Sequence, residues 1–497
     1  MHSNIYELGL VLLAGQLIAE FLMFWRYVWP VRTQIVAISM ILVGAATGLL
    51  LLALPLYLAL PLLVVQTYRI FNLLRIIKGR VHQTYLRTAA LRSSLVFGVL
   101  LMLIVALNYV VIANSLLLAA LAAAQLLAAG TLAVCVSQQL RSSWLIAAGP
   151  NYSYGDLPTL TVAIPARNET AELSDCLHSL LKSDYPKLEI LVIDDCSQDE
   201  TSDIIRSFAH KGVRFIKGTP PGKNWLAKNW AYNQLSDEAN GKLLLFCGVD
   251  VRFQPDTLRQ LVGRIHGTDV EMLSVLPRRP LAYSRSSLLQ PMRYWRELAY
   301  PRMLMRRPPV LSTCWLIKVS TLKKLGDFEA ARQSIRPEHF FARKLHIIGK
   351  YRFYVNSRLL DITSVKSLEG QLQTAIRTRY PEMHRRPEAV FGWTIAQLLL
   401  FAGPFALAAA ALFYNQPLYA LAPLLAAALL LYVQLCVHRL AARSWGLMSA
   451  LLFPVSILSE LFTINYSMWR YEFSTVIWKG RNICLPVMQH LPRLPSI

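Results

Sequence analysis

Charge is scarce in this 497-residue chain: Asp, Glu, Lys and Arg make up 16% of it, against about 25% in ordinary soluble domains. Acid is scarcest, with 29 Asp and Glu against 51 Lys and Arg, a formal net charge of +22. Apolar residues reach 55%, which excludes a disordered chain and a soluble enzyme along the whole length. The seven cysteines (Cys135, Cys176, Cys196, Cys247, Cys314, Cys436 and Cys484) form no C-x-x-C pair and no cluster with His. Neither a disulfide framework nor a zinc site is indicated, and reduced thiols facing the cytosol are expected. Internal repeats and low-complexity tracts are missing too. A cleavable signal peptide is not expected: the first apolar run, Leu8 to Trp25, is too long, contains Glu20 and lacks a small-residue cleavage site. What remains is a basic, apolar chain. It could meet nucleic acid or an anionic membrane; its hydrophobic share favours the membrane, with no nucleic-acid partner.

A membrane-crossing helix needs about 20 apolar residues. The N-terminal part offers Leu8–Trp25, a run from Ile35 to Val65 broken by Pro55 and Pro61, then Ser94–Ile112 and Leu116–Val136. Six cations and no acid lie from Arg69 to Arg92, which makes that loop cytoplasmic by the positive-inside rule. Apolar runs resume at Phe391–Phe413, Leu418–Val437 and Gly446–Phe462, the last interrupted by Pro454 and Glu460, so that it either crosses or dips into the bilayer. The expected organisation is an N-terminal transmembrane region over 1–150, a cytoplasmic domain over 151–388, a C-terminal transmembrane region over 389–470 and a basic tail over 471–497. The expected location is the cell (inner) membrane.

Between the two apolar regions the pattern changes. Short apolar runs at Leu160–Ile164, Leu188–Ile193, Val213–Ile216 and Leu243–Phe246 read as buried strands. They alternate with helical patterns at Ala171–Leu181, Thr201–His210 and Trp225–Leu235. The fold class is α/β, with a parallel sheet covered on both faces. In such sheets ligands bind beyond the carboxyl ends of the strands. Those ends carry Pro165-Ala166-Arg167-Asn168-Glu169, then Asp194-Asp195-Cys196-Ser197-Gln198-Asp199, then Gly222-Lys223-Asn224-Trp225, then Gly248-Val249-Asp250. Carboxylates can hold ribose hydroxyls and a divalent cation, and a lysine can meet phosphate. Taken singly, the Asp-rich segment also suits a helix N-cap and Gly222-Lys223 a plain turn; the ordered set suits a ligand with a base, a ribose and a diphosphate.

The set P-A-R-N-E, D-D-x-S-x-D, G-K-x-W and a strand followed by Asp250 resembles the family 2 glycosyltransferases of GT-A fold over about residues 158–390. The flanking apolar runs and the tail segment Trp478-Lys479-Gly480-Arg481 look like the membrane-bound branch acting on lipids such as carotenoids and hopanoids. The resemblance implies a nucleotide diphosphate sugar donor and a lipid acceptor. Ala166, Asn168, Glu169, Asp194 and Asp195 would then surround base and ribose, Lys223 and Arg379 would meet the diphosphate, and Asp250 would hold Mg or Mn. Two motifs depart from the family. Its metal triplet D-x-D is here Gly248-Val249-Asp250, and its E-D pair bearing the catalytic base is Glu338-His339. Magnesium takes one or two carboxylates plus substrate phosphates, and His can act as a base near neutral pH, so His339 and Glu338 are the candidate catalytic pair. The Q-x-x-R-W motif of processive synthases survives only as Arg379 followed by Tyr380, which argues against processive synthesis. Eight arginines lie from Arg278 to Arg307, interleaved with Leu288, Tyr294, Trp295 and Leu298; part of this stretch reads as an amphipathic helix in the headgroup layer, the alternative being a basic solvated face. The expected activity is inverting transfer of a sugar to a lipid hydroxyl. The alternative is a catalytically silent relative acting as a nucleotide- or lipid-binding scaffold. A transporter is disfavoured, because the apolar runs carry few ionisable residues beyond Glu20 and Glu460.

Overall fold

The computed structural model describes residues 32–53, 115–144 and most of 152–483, with scattered positions elsewhere. The expected span Ser94–Ile112, most of Leu8–Trp25, the cations from Arg69 to Arg92, Lys223 and Cys484 lie outside the described residues.

The centre is a seven-stranded sheet. Its strands are β1 Leu160–Ala166, β2 Leu188–Asp194, β3 Val213–Lys217, β4 Leu243–Cys247, β6 Met272–Leu276, β7 Cys314–Lys318 and β8 Tyr351–Val355, in the order β3-β2-β1-β4-β7-β6-β8. A two-residue strand β5, Val251–Arg252, leaves the sheet after β4 and pairs with β9, Thr363–Ser364. The four strands read from the sequence are present and mutually parallel where they pair. The sheet is nevertheless mixed, because β7 runs antiparallel to both β4 and β6. Side chains alternate across it. Val162, Ile164, Val192 and Leu245 face helix α1, Ala171–Leu181, which presents Leu173, Leu177 and Leu180. Ala163, Leu191, Leu244 and Phe246 face the other layer, where Tyr232 and Leu235 of α2, Ala227–Glu238, meet Phe341 and Leu345 of α3, Pro337–Ile347. This period of two, apolar on both faces, is why each strand reads as an unbroken hydrophobic run. Burying such a side chain contributes about 1.5–3 kcal/mol.

Around the domain lie long apolar helices. Among the described residues, three are long and apolar enough to cross a membrane: Leu118–Ser143, Pro387–Phe413 and Pro417–Ala441. The last expected apolar run forms a short helix, Gly446–Leu451, and then Phe453–Phe473. Helix Arg32–Ala53 covers part of the expected run from Ile35 to Val65.

The basic stretch after Arg278 differs from its expected form. Among its described residues only Trp295–Leu298 is α-helical, 281–283 form a 3-10 turn, and Trp295 and Leu298 are buried rather than laid on a surface. Trp295 stacks on Phe453 at 5.0 Å and donates to Gln434 Oε1 at 2.7 Å. Arg278 donates to the backbone carbonyls of Ala442 at 3.2 Å and Arg439 at 3.1 Å, at the carboxyl end of helix Pro417–Ala441. Cations there complement the helix dipole. These contacts join the α/β domain to the apolar helices.

At the sheet's carboxyl edge the tips of β1, β2 and β3 are drawn together. Asp195 N donates to Ala166 O at 2.8 Å and Gly218 N to Asp194 O at 3.0 Å. A Cβ on Gly218 would lie 2.5 Å from Asp194 O, so this approach requires glycine. A Gly218→Ala chain should therefore lose about 1–3 kcal/mol of stability, read as a lower thermal midpoint of the detergent-solubilised protein; an unmoved midpoint would contradict the close approach.

Candidate active site

The loop after β1 folds onto the loop after β2. Asn168 adopts a left-handed backbone (φ 48); its amide donates to Ser197 Oγ at 3.0 Å and its side-chain oxygen accepts from Gln198 N at 3.0 Å. Glu169 N donates to Thr201 Oγ1 at 2.8 Å. Asp194 closes the turn that follows it, accepting from Ser197 N at 2.9 Å and from the Ser202 hydroxyl. Both oxygens of Asp194 are thus engaged, one by the turn and one by Ser202 of helix Thr201–Ser207; the N-cap of that helix is Glu200, with no side-chain capping bond, so the expected N-cap within the Asp-rich segment is not formed. Asp195 points elsewhere. It is 5% exposed, and burial pushes its carboxyl above the ordinary range although Arg481 and Arg167 oppose the shift.

Asp195 and Glu169 meet cations from the C-terminal hairpin, formed by β10 Ile477–Trp478 and β11 Arg481–Asn482. Arg481 Nη1 donates to Asp195 Oδ1 at 2.8 Å and Oδ2 at 2.7 Å. Lys479 pairs with Glu169 and donates to Arg167 O at 2.7 Å. The sequence places these two cations some 300 residues from their partners, so only the fold brings them together.

Beyond β4 the chain turns at Gly248 and presents Asp250, which is half-buried. Its Oδ2 accepts from Ser364 Oγ at 3.1 Å, and its carbonyl accepts from Val365 N at 2.9 Å. A Cβ on Gly248 would meet Asp250 Oδ1 at 2.5 Å, so this orientation of Asp250 excludes an aspartate at 248. No group of three or more His, Cys, Asp or Glu able to hold a metal occurs among the described residues. One carboxylate fits a hard divalent cation that takes its remaining ligands from phosphate oxygens and water. It does not fit an all-protein cage.

Facing this loop are α2 and α3. The start of α2 is pinned by Asn229, whose amide nitrogen donates to the carbonyls of Ala331 at 2.9 Å, Arg332 at 3.1 Å and Ser334 at 2.7 Å. Next to it, Lys228 lies within electrostatic reach of Glu338, Arg377, Arg336 and Asp250; burial pushes its ammonium down to about 8. Glu338, at the start of α3, is 0% exposed and neither carboxylate oxygen has a hydrogen bond among the described residues. Arg377, on helix Leu368–Glu382, feels the charge of Glu338, and its Nε is buried with no hydrogen bond among the described residues. A buried carboxylate without hydrogen bonds is costly unless charge compensates it.

His339 sits beside Glu338, with its Nε2 2.9 Å from Arg336 Nη1. A guanidinium can only donate, so Nε2 accepts and the ring proton is on Nδ1. The lone pair that would take a proton is engaged by a cation, which favours Glu338 over His339 as the proton acceptor. Arg336 is itself held by Glu382 at 2.6 Å. Arg379 turns away from this pocket: it pairs with Glu460 of helix Phe453–Phe473 at 2.9 Å. Arg377, two residues earlier on the same helix, is the arginine near Glu338. Lys228 and Arg377 are the residues that reading the sequence missed. A second K-x-W, Lys228-Asn229-Trp230, follows Lys223-Asn224-Trp225, and was the available signal for the first.

Known proteins resemble this chain in the same region. The family model described as Glycosyl transferase family 2 matches residues 161–326. Glycosyltransferase AglE of Haloferax volcanii is 31% identical over 121 residues, covering 24% of this chain and 38% of that protein. The 4,4'-diaponeurosporenoate glycosyltransferase of Staphylococcus aureus is 33% identical over 106 residues, covering 21% of this chain and 28% of that protein. The matches thus span under two fifths of these relatives. Among solved structures, the mannosyltransferase PcManGT from Pyrobaculum calidifontis, in complex with GDP-Man and Mn2+, superposes with a TM-score of 0.43 at 21% identity over 69% of this chain and 99% of that one.

The lowered Lys228 gives a signed expectation. Its charge is present below about 8 and is lost above it. Affinity for a diphosphate anion should fall about tenfold from pH 7 to pH 9, read by titration calorimetry with inorganic pyrophosphate and with nucleoside diphosphates. Lys228→Arg, which keeps its charge over that range, should flatten the profile; an equal slope in both proteins would remove Lys228 from the anion site.

Proposed function

We propose that this chain, whose soluble domain belongs to glycosyl transferase family 2 and takes the GT-A fold, transfers a sugar from a nucleotide diphosphate donor to a hydroxyl on a lipid acceptor. The observation that carries the reading is Glu338, a buried carboxylate without hydrogen bonds, opposite Lys228 and Arg377 and near Asp250 at one sheet edge. In this reading the base and ribose lie over Asp195, Glu169, Asn168 and Ala166, and the diphosphate lies toward Lys228 and Arg377. A divalent cation, Mg or Mn, would draw charge from the departing diphosphate, and Asp250 is the residue that would hold it. The mannosyltransferase complex with Mn2+ is consistent with that choice of ion.

The chemistry is a single displacement with inversion. The acceptor oxygen forms a bond to the anomeric carbon while the bond from that carbon to the diphosphate oxygen breaks, its electron pair leaving with the diphosphate. Glu338 takes the acceptor proton. Lys228 and Arg377 are aimed at charge that grows on the leaving group, in a site sheltered from water, where such groups are most effective. Arg336 orients His339, and through Glu382 it is tied to Arg296 at 3.5 Å. A cavity of about 50 Å³ lined by Tyr294, Glu297, Arg336, Gln371 and Arg379 lies between helix Leu368–Glu382 and the Trp295 segment, beside Arg336. It is the proposed route for the acceptor's polar end from the apolar helices. The three apolar helices and the carotenoid-acid glycosyltransferase relative support a lipid acceptor. We place the catalytic domain over 151–388, on the cytoplasmic face of the cell membrane.

Two measurements test this. Purified chain in lipid nanodiscs is given a panel of nucleotide diphosphate sugars, with and without Mg or Mn, and release of nucleoside diphosphate is followed. One donor should turn over and one ion should support it; nucleotide binding without transfer or hydrolysis would favour the silent scaffold instead. With that donor, Glu338→Gln should lower kcat about 10²–10⁴-fold with donor affinity retained, whereas His339→Asn should cost less. The reverse order would make His339 the base.

A further inference from the structure

We propose that the C-terminal hairpin is an intramolecular competitor for the base-and-ribose end of the crevice, so that a nucleotide binds only as Arg481 and Lys479 leave Asp195 and Glu169. The inference rests on the donor-binding reading above. Arg481 lays two N–H groups on the carboxylate of Asp195, and its Nη2 donates to the Asp195 carbonyl at 3.1 Å. A nucleobase edge bearing N–H donors would offer the same chemistry to the same oxygens. The carboxylate is 5% exposed, so there is no room for both. Lys479 does the same to Glu169, and Arg167 Nε returns a hydrogen bond to Lys479 O at 2.9 Å.

The hairpin also reaches the catalytic end. Trp478 lies on Arg377, with the guanidinium carbon 4.6 Å from the ring centroid, and Arg377 is the cation near Glu338. One short element therefore spans the crevice from the proposed base subsite to the proposed base catalyst. Its own structure is slight. Two residue pairs, Ile477 with Asn482 and Trp478 with Arg481, make the ladder, and Lys479 (φ 47) and Gly480 (φ 77) form a turn with two left-handed residues, as tight hairpins require. An isolated two-stranded hairpin is marginal in water. Its position is set by the ion pairs and the Trp478 stack, which a ligand carrying its own donors and phosphates can replace.

The test uses the full chain in detergent, with UDP, GDP and CDP as probes. Arg481→Ala should bind the preferred nucleotide about tenfold more tightly than the unaltered chain, because the competent fraction is no longer limited by the hairpin; Lys479→Ala should shift in the same direction. On the unaltered chain, the preferred nucleotide should accelerate tryptic cleavage after Lys479 and Arg481. Weaker or unchanged binding by Arg481→Ala, or protection of the hairpin by nucleotide, would overturn the proposal and make the hairpin a wall of the donor site. Binding of no probe by any of the proteins would overturn the donor reading itself, and the competitor with it.

Discussion

A carboxylate buried without hydrogen bonds has to be held against its own cost. Glu338 is 0% exposed, and a buried charge of that kind costs several kcal/mol unless compensated. Its compensation here is electrostatic, from Lys228 and Arg377. The elements that carry these groups are fixed with corresponding care. Asn229 ties the start of α2 to three carbonyls of the loop before α3. Helix Leu368–Glu382 begins with Ser367 accepting from Gly370 N at 3.1 Å, and its far end is tied by Arg379 to Glu460. Removing one cation would leave Glu338 only partly compensated, and removing Glu338 would leave Lys228 and Arg377 without the carboxylate between them. The pocket is therefore one electrostatic unit.

That unit is suspended between a sheet and a helix bundle. The sheet supplies the parallel tips of β2, β1 and β4, and with them Asp195, the Asn168 loop and Asp250. The apolar helices supply Glu460 and the carbonyl ends that hold Arg278. Scarcity of acid in the sequence acquires a local meaning. With 29 acidic residues against 51 basic ones, backbone carbonyls also serve as arginine acceptors, as they do for Arg167, Arg278 and Arg279. The carboxylates Asp195, Glu338, Glu382 and Glu460 are each faced by one or more arginines.

The fold was largely legible in the sequence where the physics is local. The helix Ala171–Leu181 agrees end for end with its apolar periodicity, and the four strands differ by one or two residues at their carboxyl ends. The antiparallel entry of β7 was not legible, because the run Cys314–Lys318 carries no signal of its own direction. The site was legible by segment more than by side chain. The segments at the strand tips do converge, yet Asp194 is occupied in its own loop. Arg379 faces the apolar helices while Arg377 faces Glu338, a choice set by helical phase against two different neighbours. The pairing of Arg481 with Asp195 joins positions 286 apart in sequence, and no local pattern encodes such a pairing. For the Trp295 segment of the arginine-rich stretch, amphipathic spacing could not tell a membrane surface from the flank of a helix bundle; Trp295 is buried in the latter.

The central claim is that one crevice at the carboxyl edge of the sheet receives a nucleotide diphosphate. The most direct measurement is a cryo-electron microscopy map of the full chain in nanodiscs with a bound nucleotide diphosphate sugar. The diphosphate is expected within hydrogen-bond reach of Lys228, the sugar toward Glu338 and the base over Asp195. Density for the nucleotide at any other surface, with Glu338, Lys228 and Arg377 left as they are, would contradict it.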